Sequence, residues 1–89
     1  MMAVLLVTYD LNKQGQNYSK FLEVVKSYAW VRLSESSYAI ETSKSPDMVY
    51  RELKPFADEN DSFLIIGLKN PHQGWIERSV HDWLNQKLG

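Results

Sequence analysis

The sequence contains no cysteine. That excludes a disulfide framework and a thiolate zinc site, and it agrees with a reducing compartment, so the cytoplasm is the expected location. Long hydrophobic runs are missing as well. The apolar opening MMAVLLVTYD is far shorter than the roughly 20 residues a membrane-spanning helix needs, and it lacks the basic start and small-residue cleavage site of a signal peptide. It is expected to be structure, and no membrane is expected as a partner. No charge of one sign dominates: ten Lys and Arg stand against eleven Asp and Glu, for a net charge of −1. A general attraction to phosphate backbones is therefore absent, and nucleic acid is disfavoured as a partner unless a local patch provides for it. The four glycines are scattered and build no phosphate cradle. The two histidines, His72 and His81, stand at no metal-ligand spacing and are expected at the surface. Ser34, Ser36 and Ser37 have no histidine placed by sequence to activate them, which argues against acyl transfer. There is no internal repeat, low-complexity tract or linker.

What is present is a globular composition. With 89 residues, 44% hydrophobic and 24% charged, the chain suits a single domain over residues 1–89 with one modest core. The run Ala3–Asp10, AVLLVTYD, organises the rest. It is too short for helical periodicity and β-branched enough for a strand, and it ends abruptly in a carboxylate. Val4, Leu6 and Thr8 fall on one face and Ala3, Leu5, Val7 and Tyr9 on the other. Neither face is plainly solvated, so each needs a cover.

The polar segment Leu11–Asn17 reads as a loop, with Asn17 placed to cap a helix by accepting from an unpaired backbone N–H. Tyr18, Phe21, Leu22, Val25 and Tyr28 then share one helical stripe. The runs Trp30–Ser34 and Tyr38–Thr42 read as an antiparallel hairpin around Glu35-Ser36-Ser37, with the turn type left open by the missing glycine. Alternation puts Trp30, Arg32 and Ser34 on one face. Because a charge under helices is costly, that face is expected to be open or at an interface. Ser45 as N-cap, Pro46 at the first helical position and Asp47 at the positive end of the dipole make a clear helix start. Val49, Leu53 and Phe56 continue that helix, which should kink or fray at Pro55. After the polar turn Asp58–Asp61, the run Ser62–Leu68 is a second strand apolar on both faces.

The order β-α-β-β-α-β is the ferredoxin-like α+β unit, an antiparallel sheet in order 4-1-3-2 with two helices on one face. Trp75 or Ile76, Val80, Trp83, Leu84 and Lys87 or Leu88 recur at helical spacing, which adds a C-terminal amphipathic helix over 75–88. That helix covers the other sheet face or an edge, or else a second chain covers that face with the helix clasping it, symmetric dimers being the commonest oligomers. Trp30, Trp75 and Trp83 are read as core and interface anchors ahead of base-stacking platforms.

With YD closing the first strand of such a chain, the sequence resembles the small CRISPR-associated ferredoxin-like proteins of the spacer-adaptation complex and their VapD-like relatives. Val4–Asp10 is similar to that superfamily's first strand, and Asp61 before Phe63–Ile66 to the polar start of its last core strand. Tyr9-Asp10-Leu11-Asn12, Gly74-Trp75 and Asp82-Trp83-Leu84 look most similar to its uncharacterised bacterial and phage members. The resemblance implies a homodimer. In some members it also implies a divalent-metal-dependent nuclease in which the carboxylate carried here by Asp10 faces its symmetry mate. The chain departs from the CRISPR-associated pattern in having no arginine just after the first strand and a helical tail in place of a further strand.

The expected sheet order puts the end of the first strand beside the start of the last, so Asp10 and Asp61 share one rim, joined by Glu35, Asp58 and Glu59. Carboxylates converging without a basic neighbour repel, raise one another's pKa or hold a cation. Mg²⁺ or Mn²⁺ would suit, since such ions accept one or two carboxylates and keep water for phosphate chemistry. The competing reading is that Asp10 organises its own loop through Asn12, as turn aspartates commonly do. The sequence thus leads to a small homodimeric binding or interaction module, with a protein partner and without catalysis. The alternative is a metal-dependent endonuclease on RNA or DNA, with Asp10 catalytic and Asp10 and Asp61 as metal ligands. A non-catalytic nucleic-acid binder is disfavoured by the charge balance.

Overall fold

Alternation along β1, Ala3–Asp10, sends Leu5, Val7 and Tyr9 to one side of a sheet and Val4 to the other, and all four are buried. The structure, a computed structural model, describes residues 2–11 and 16–88, without side chains at 16 and 17. From β1 the chain passes through α1 (Gln16–Val25), β2 (Ala29–Ser34), β3 (Ser37–Thr42), α2 (Pro46–Leu53), a 3-10 turn (Lys54–Phe56), β4 (Ser62–Leu68) and α3 (Arg78–Leu88). The four strands form one antiparallel sheet in the order β2-β3-β1-β4. This is the expected 4-1-3-2 order read from the other edge, and the fold is ferredoxin-like α+β with an added C-terminal helix.

The first sheet face packs under α1 and α2. Leu5, Val7, Tyr9, Tyr38 and Ile40 of the sheet meet Phe21 and Val25 of α1 and Val49 and Leu53 of α2. Helix α1 starts at Gln16, which puts Asn17 inside its first turn and not at the cap; most of the expected 11–17 loop lies outside the described residues. The helix stops at Val25 in a turn where Lys26 N–H donates to Leu22 O and Tyr28 N–H to Val25 O. Tyr28 still packs on the core from that turn. Helix α2 begins as its sequence requires, with Ser45 Oγ accepting from Met48 N–H at 3.2 Å and Pro46 at the first helical position. Pro55 has no N–H to continue the ladder, so the helix tightens into the 3-10 turn, closed by Ala57 N–H on Lys54 O at 3.1 Å.

The hairpin differs from a glycine turn. No residue among those described has positive φ apart from any glycine, so neither primed turn geometry is used at Glu35-Ser36. The mismatch is absorbed by an irregularity between Arg32 and Ser34. This breaks the alternation: Arg32 pairs with Tyr38 and Trp30 with Ile40, while Ser34 pairs with Ser37, their hydroxyls 2.6 Å apart. Trp30 and Arg32 therefore lie on the helix-covered face, against the expectation of an open one. The charge is tolerated because β2 is an edge strand reaching past the helices, so Arg32 stays exposed and Lys26 lies over the Trp30 ring at 5.2 Å.

On the second face, Val80 and Leu84 of α3 bury Val4 and Ala39, with Val31, Leu33, Leu68, Ile76, Trp83 and Leu88 around them. Lys87 pins the helix to Glu41 of β3 at 3.2 Å. The helix starts at Arg78, three residues later than the expected 75, and Trp75 is fully exposed. Trp75 is thus not a core anchor: the segment around it is an extended connection in which Gly74 O is held by His81 Nε2 at 3.1 Å. No helix among the described residues is long and apolar enough to cross a membrane.

Candidate functional site

Asp10 closes β1 opposite Ser62, the first residue of β4, so Asp10 and Asp61 do occupy one rim. They do not share one cleft. Alternation places Asp10 in the row of Val4, Leu6 and Thr8 on the α3 face, where it is exposed and lines a shallow cleft with Thr8, Ser62 and Leu64. Asp61 opens into a neighbouring cleft of about 480 Å³ with Tyr50, Lys54, Asp58 and Glu59. Its Oδ2 accepts the Asp58 N–H at 3.0 Å, its own N–H donates to Asp58 O at 3.0 Å, and Asp58 Oδ1 accepts from Asn60 N–H at 2.8 Å. Asp58 and Asp61 are first of all the two ends of the turn that launches β4.

The sequence pointed to a rim without cations, and the fold corrects this. Lys54, which closes α2 in helical geometry just before Pro55, lines the Asp61 cleft with its Nζ 5.7 Å from the Tyr50 ring centroid. Arg32 joins Glu35 and Glu77 in a third cleft at the hairpin end. Neither was visible in sequence, because which rim a residue reaches depends on how the helix ends and where the bulge falls. Among the described residues, no group of three or more His, Asp or Glu side chains is arranged to hold a metal ion.

Tyr9, part of the YD ending of β1, ties the rim together, a role that its place in the motif does not reveal. Its N–H donates to Ser36 O at 3.0 Å and its hydroxyl to Glu35 O at 3.0 Å, fixing the hairpin tip beside Asp10. Its ring meets Phe21 at 5.3 Å and Tyr18 and Tyr38 at 6.4 Å each. Burial, followed by the nearby Tyr18 and Tyr38 phenols, pushes the Tyr9 hydroxyl well above the ordinary tyrosine range. The folded state therefore holds a proton that the unfolded chain releases near pH 10. Stability is complete below that pH and falls above it, by about 1.4 kcal/mol per pH unit for each such proton. Tyr9→Phe is expected to lose about 1 kcal/mol at neutral pH with the hydrogen bond to Glu35, and to flatten the decline measured by urea unfolding between pH 9.5 and 11. An unchanged decline would assign it to another group.

A second polar cluster sits at the opposite rim. Glu52 accepts from the Tyr28 hydroxyl and from Lys44, which also lies 5.3 Å from the Tyr28 ring centroid. The Lys44 hydrogen bond, then that from Tyr28, holds the Glu52 carboxyl below its usual range, while burial and then Glu52 raise Tyr28. The cluster clamps the loop before α2 to the turn after α1, which is a structural role.

The remaining feature is apolar. Helix α3 covers β2, β3 and the start of β1 and leaves the β4 side bare: Leu64 is 57% and Ile66 43% exposed. Leu64 stands opposite Thr8 and Ile66 opposite Leu6, so the bare side chains form a row that Asp10 terminates.

No protein-family model and no curated protein matches the chain. Among solved structures, the crystal structure of a hypothetical protein from Thermus thermophilus is similar over 86% of this chain and 96% of its own, with a TM-score of 0.69 and 17% identity. At that identity the likeness shows the fold.

Proposed function

We propose that the chain is a small homodimeric interaction module of the CRISPR-associated and VapD-like kind, acting in the cytoplasm on a protein partner and without catalysis of its own. The observation that carries this reading is the bare apolar row of Leu64 and Ile66 on a sheet face otherwise closed by α3. Exposed apolar surface of this kind on a small domain marks an interaction site. The element order and the Tyr9-Asp10 ending of β1 support the superfamily. Sedimentation at micromolar concentration is expected to give a dimer, and a single species at the 10.4 kDa of one chain would refute it.

A second reading is a metal-dependent endonuclease at Asp10, favoured by the position of Asp10 at the end of that same row. Two copies meeting face to face over it would bring two Asp10 carboxylates together. Bound there, Mg²⁺ or Mn²⁺ would supply charge stabilisation and a more acidic water. The carboxylates of Asp10 would hold the ion, and Asp61, already engaged in its turn, would add at most an outer contact. If this reading holds, purified wild type cleaves RNA or DNA with Mg²⁺ or Mn²⁺ and not with chelator, and Asp10→Asn abolishes cleavage while leaving folding intact. Cleavage that survives Asp10→Asn, or none by wild type, rejects it.

A further inference from the structure

We infer that two copies join through the free edge of β4, in antiparallel register centred on Ile65, so that two four-stranded sheets become one; this rests on the dimer reading above.

Backbone parity sets the first condition. Tyr9 N–H bonds Ser36 O, so the odd residues of β1 direct their amides to β3 and the even ones to β4. The β1–β4 register is unbroken from Val4↔Leu68 to Asp10↔Ser62. Ser62, Leu64, Ile66 and Leu68 therefore direct their amides to β1, while Phe63, Ile65 and Gly67 direct theirs to the free edge. A second β4 running antiparallel with Ile65 opposite itself matches Phe63, Ile65 and Gly67 to Gly67, Ile65 and Phe63, three pairs that each exchange two backbone hydrogen bonds. This register overlaps the whole strand.

The side chains fit the same register. Leu64 falls opposite Ile66 of the second copy, so the two bare rows become cross-strand neighbours on one face and touch along their flanks. Phe63 falls opposite Gly67 of the second copy, where a Cβ would meet nothing within 4 Å, leaving room for the ring beside a residue that otherwise weakens a strand. Just past the strand ends, Asp61 of one copy meets Lys69 of the other, a complementary charge pair repeated by the symmetry. The edge is accessible, opening as a groove of about 310 Å³ that runs from Pro46 and Tyr50 of α2 across Phe63, Leu64 and Ile65. Finally, SFLIIGL has no charge, proline or bulge, the devices that keep solvent-facing edges apart. At the rise and spacing of extended strands, this geometry holds the two Asp10 residues roughly 25 Å apart, too far to share an ion.

The chain has no cysteine, so introduced ones report directly. Leu64→Cys and Ile66→Cys are made as separate variants and oxidised alone and as an equimolar mixture. In the inferred register a thiol at 64 stands beside one at 66 of the other copy, whereas like positions lie diagonally, beyond the 7 Å Cα separation a disulfide tolerates. Covalent dimer is expected from the mixture and at least about tenfold less from either variant alone. Gly67→Pro, which removes an outward N–H and leaves the β1 ladder intact, is expected to weaken dimerisation at least about tenfold at unchanged circular dichroism. A dimeric wild type whose single variants cross-link with themselves, or whose Gly67→Pro variant dimerises normally, overturns the edge geometry and leaves the dimer standing. A monomeric wild type overturns both, and assigns the edge to a strand from another protein.

Discussion

Phe21→Ala is expected to cost about 3–5 kcal/mol, the loss for truncating a fully enclosed aromatic side chain. Phe21 has no exposed surface and sits where α1 presses on the sheet. Its ring lies 5.3 Å from Tyr9 and 5.4 Å from Phe63, the latter edge to face at 81°, so it ties β1 to β4 from above. Its removal leaves a cavity between strands whose pairing holds them in place, and backbone pairing resists the collapse that would refill it. A chain of this size has a total stability of about 4–13 kcal/mol, so the variant loses roughly a quarter of it or more. Urea unfolding should show the midpoint falling at nearly unchanged slope. A loss below about 1.5 kcal/mol would mean that α1 packs less firmly than its burial implies. The same variant tests the rim, because a displaced Tyr9 releases the hairpin tip beside Asp10.

Removing residues 75–89 is the second large effect, and its expected outcome is aggregation. Val4 and Ala39 are buried by Val80 and Leu84, with Val31, Leu33 and Leu68 partly covered by the same helix. Without α3 the bare row of Leu64 and Ile66 would widen across all four strands of the second face. Such a patch on a monomer promotes association, and the β4 edge beside it offers strand pairing as a route. Low soluble yield and binding of a hydrophobic dye are the readouts. Leu84→Ala, a milder form of the same change, is expected to cost about 2–4 kcal/mol, and Trp75→Ala to stay within about 0.5 kcal/mol because Trp75 touches solvent on all sides. A soluble truncated chain with unchanged thermal stability would show that α3 is not part of the core.

Local chemistry was enough to read most of the elements. Ser45-Pro46-Asp47 starts a helix because a hydroxyl, a fixed φ and a carboxylate each suit a helix N-terminus, and the structure has all three in place. Pro55 ends α2 for an equally local reason, and the Ser62–Leu68 strand follows from composition and length. The third helix was read too long because Trp75 fits its stripe by spacing. Spacing is silent on whether the backbone has yet turned, and here it has not: Gly74 O is taken by His81, and the first helical residue is Arg78.

The candidate site was half legible. That Asp10 and Asp61 meet at one rim follows from strand order, which the alternation of strands and helices dictates. That they open into separate clefts does not, because it depends on the register Asp10↔Ser62 and on Asp61 closing its own turn. The presence of Lys54 at that rim, and the lodging of Trp30 and Arg32 beneath a helical layer but past its edge, depend on how far each helix extends over the sheet.

The sequence by itself determined the strands, the two covering helices, the ferredoxin-like order and an excess of apolar surface, since each rests on periodicity or on capping within a few residues. Only the tertiary structure decided where that excess lies. Leu64 and Ile66 are as apolar as Val4 and Ala39; they are bare because α3, anchored by Lys87 to Glu41, is a single helix on a four-stranded sheet and lies over its β2 side. Helix width against sheet width, a contest between elements far apart in the chain, leaves the β4 side of this face exposed.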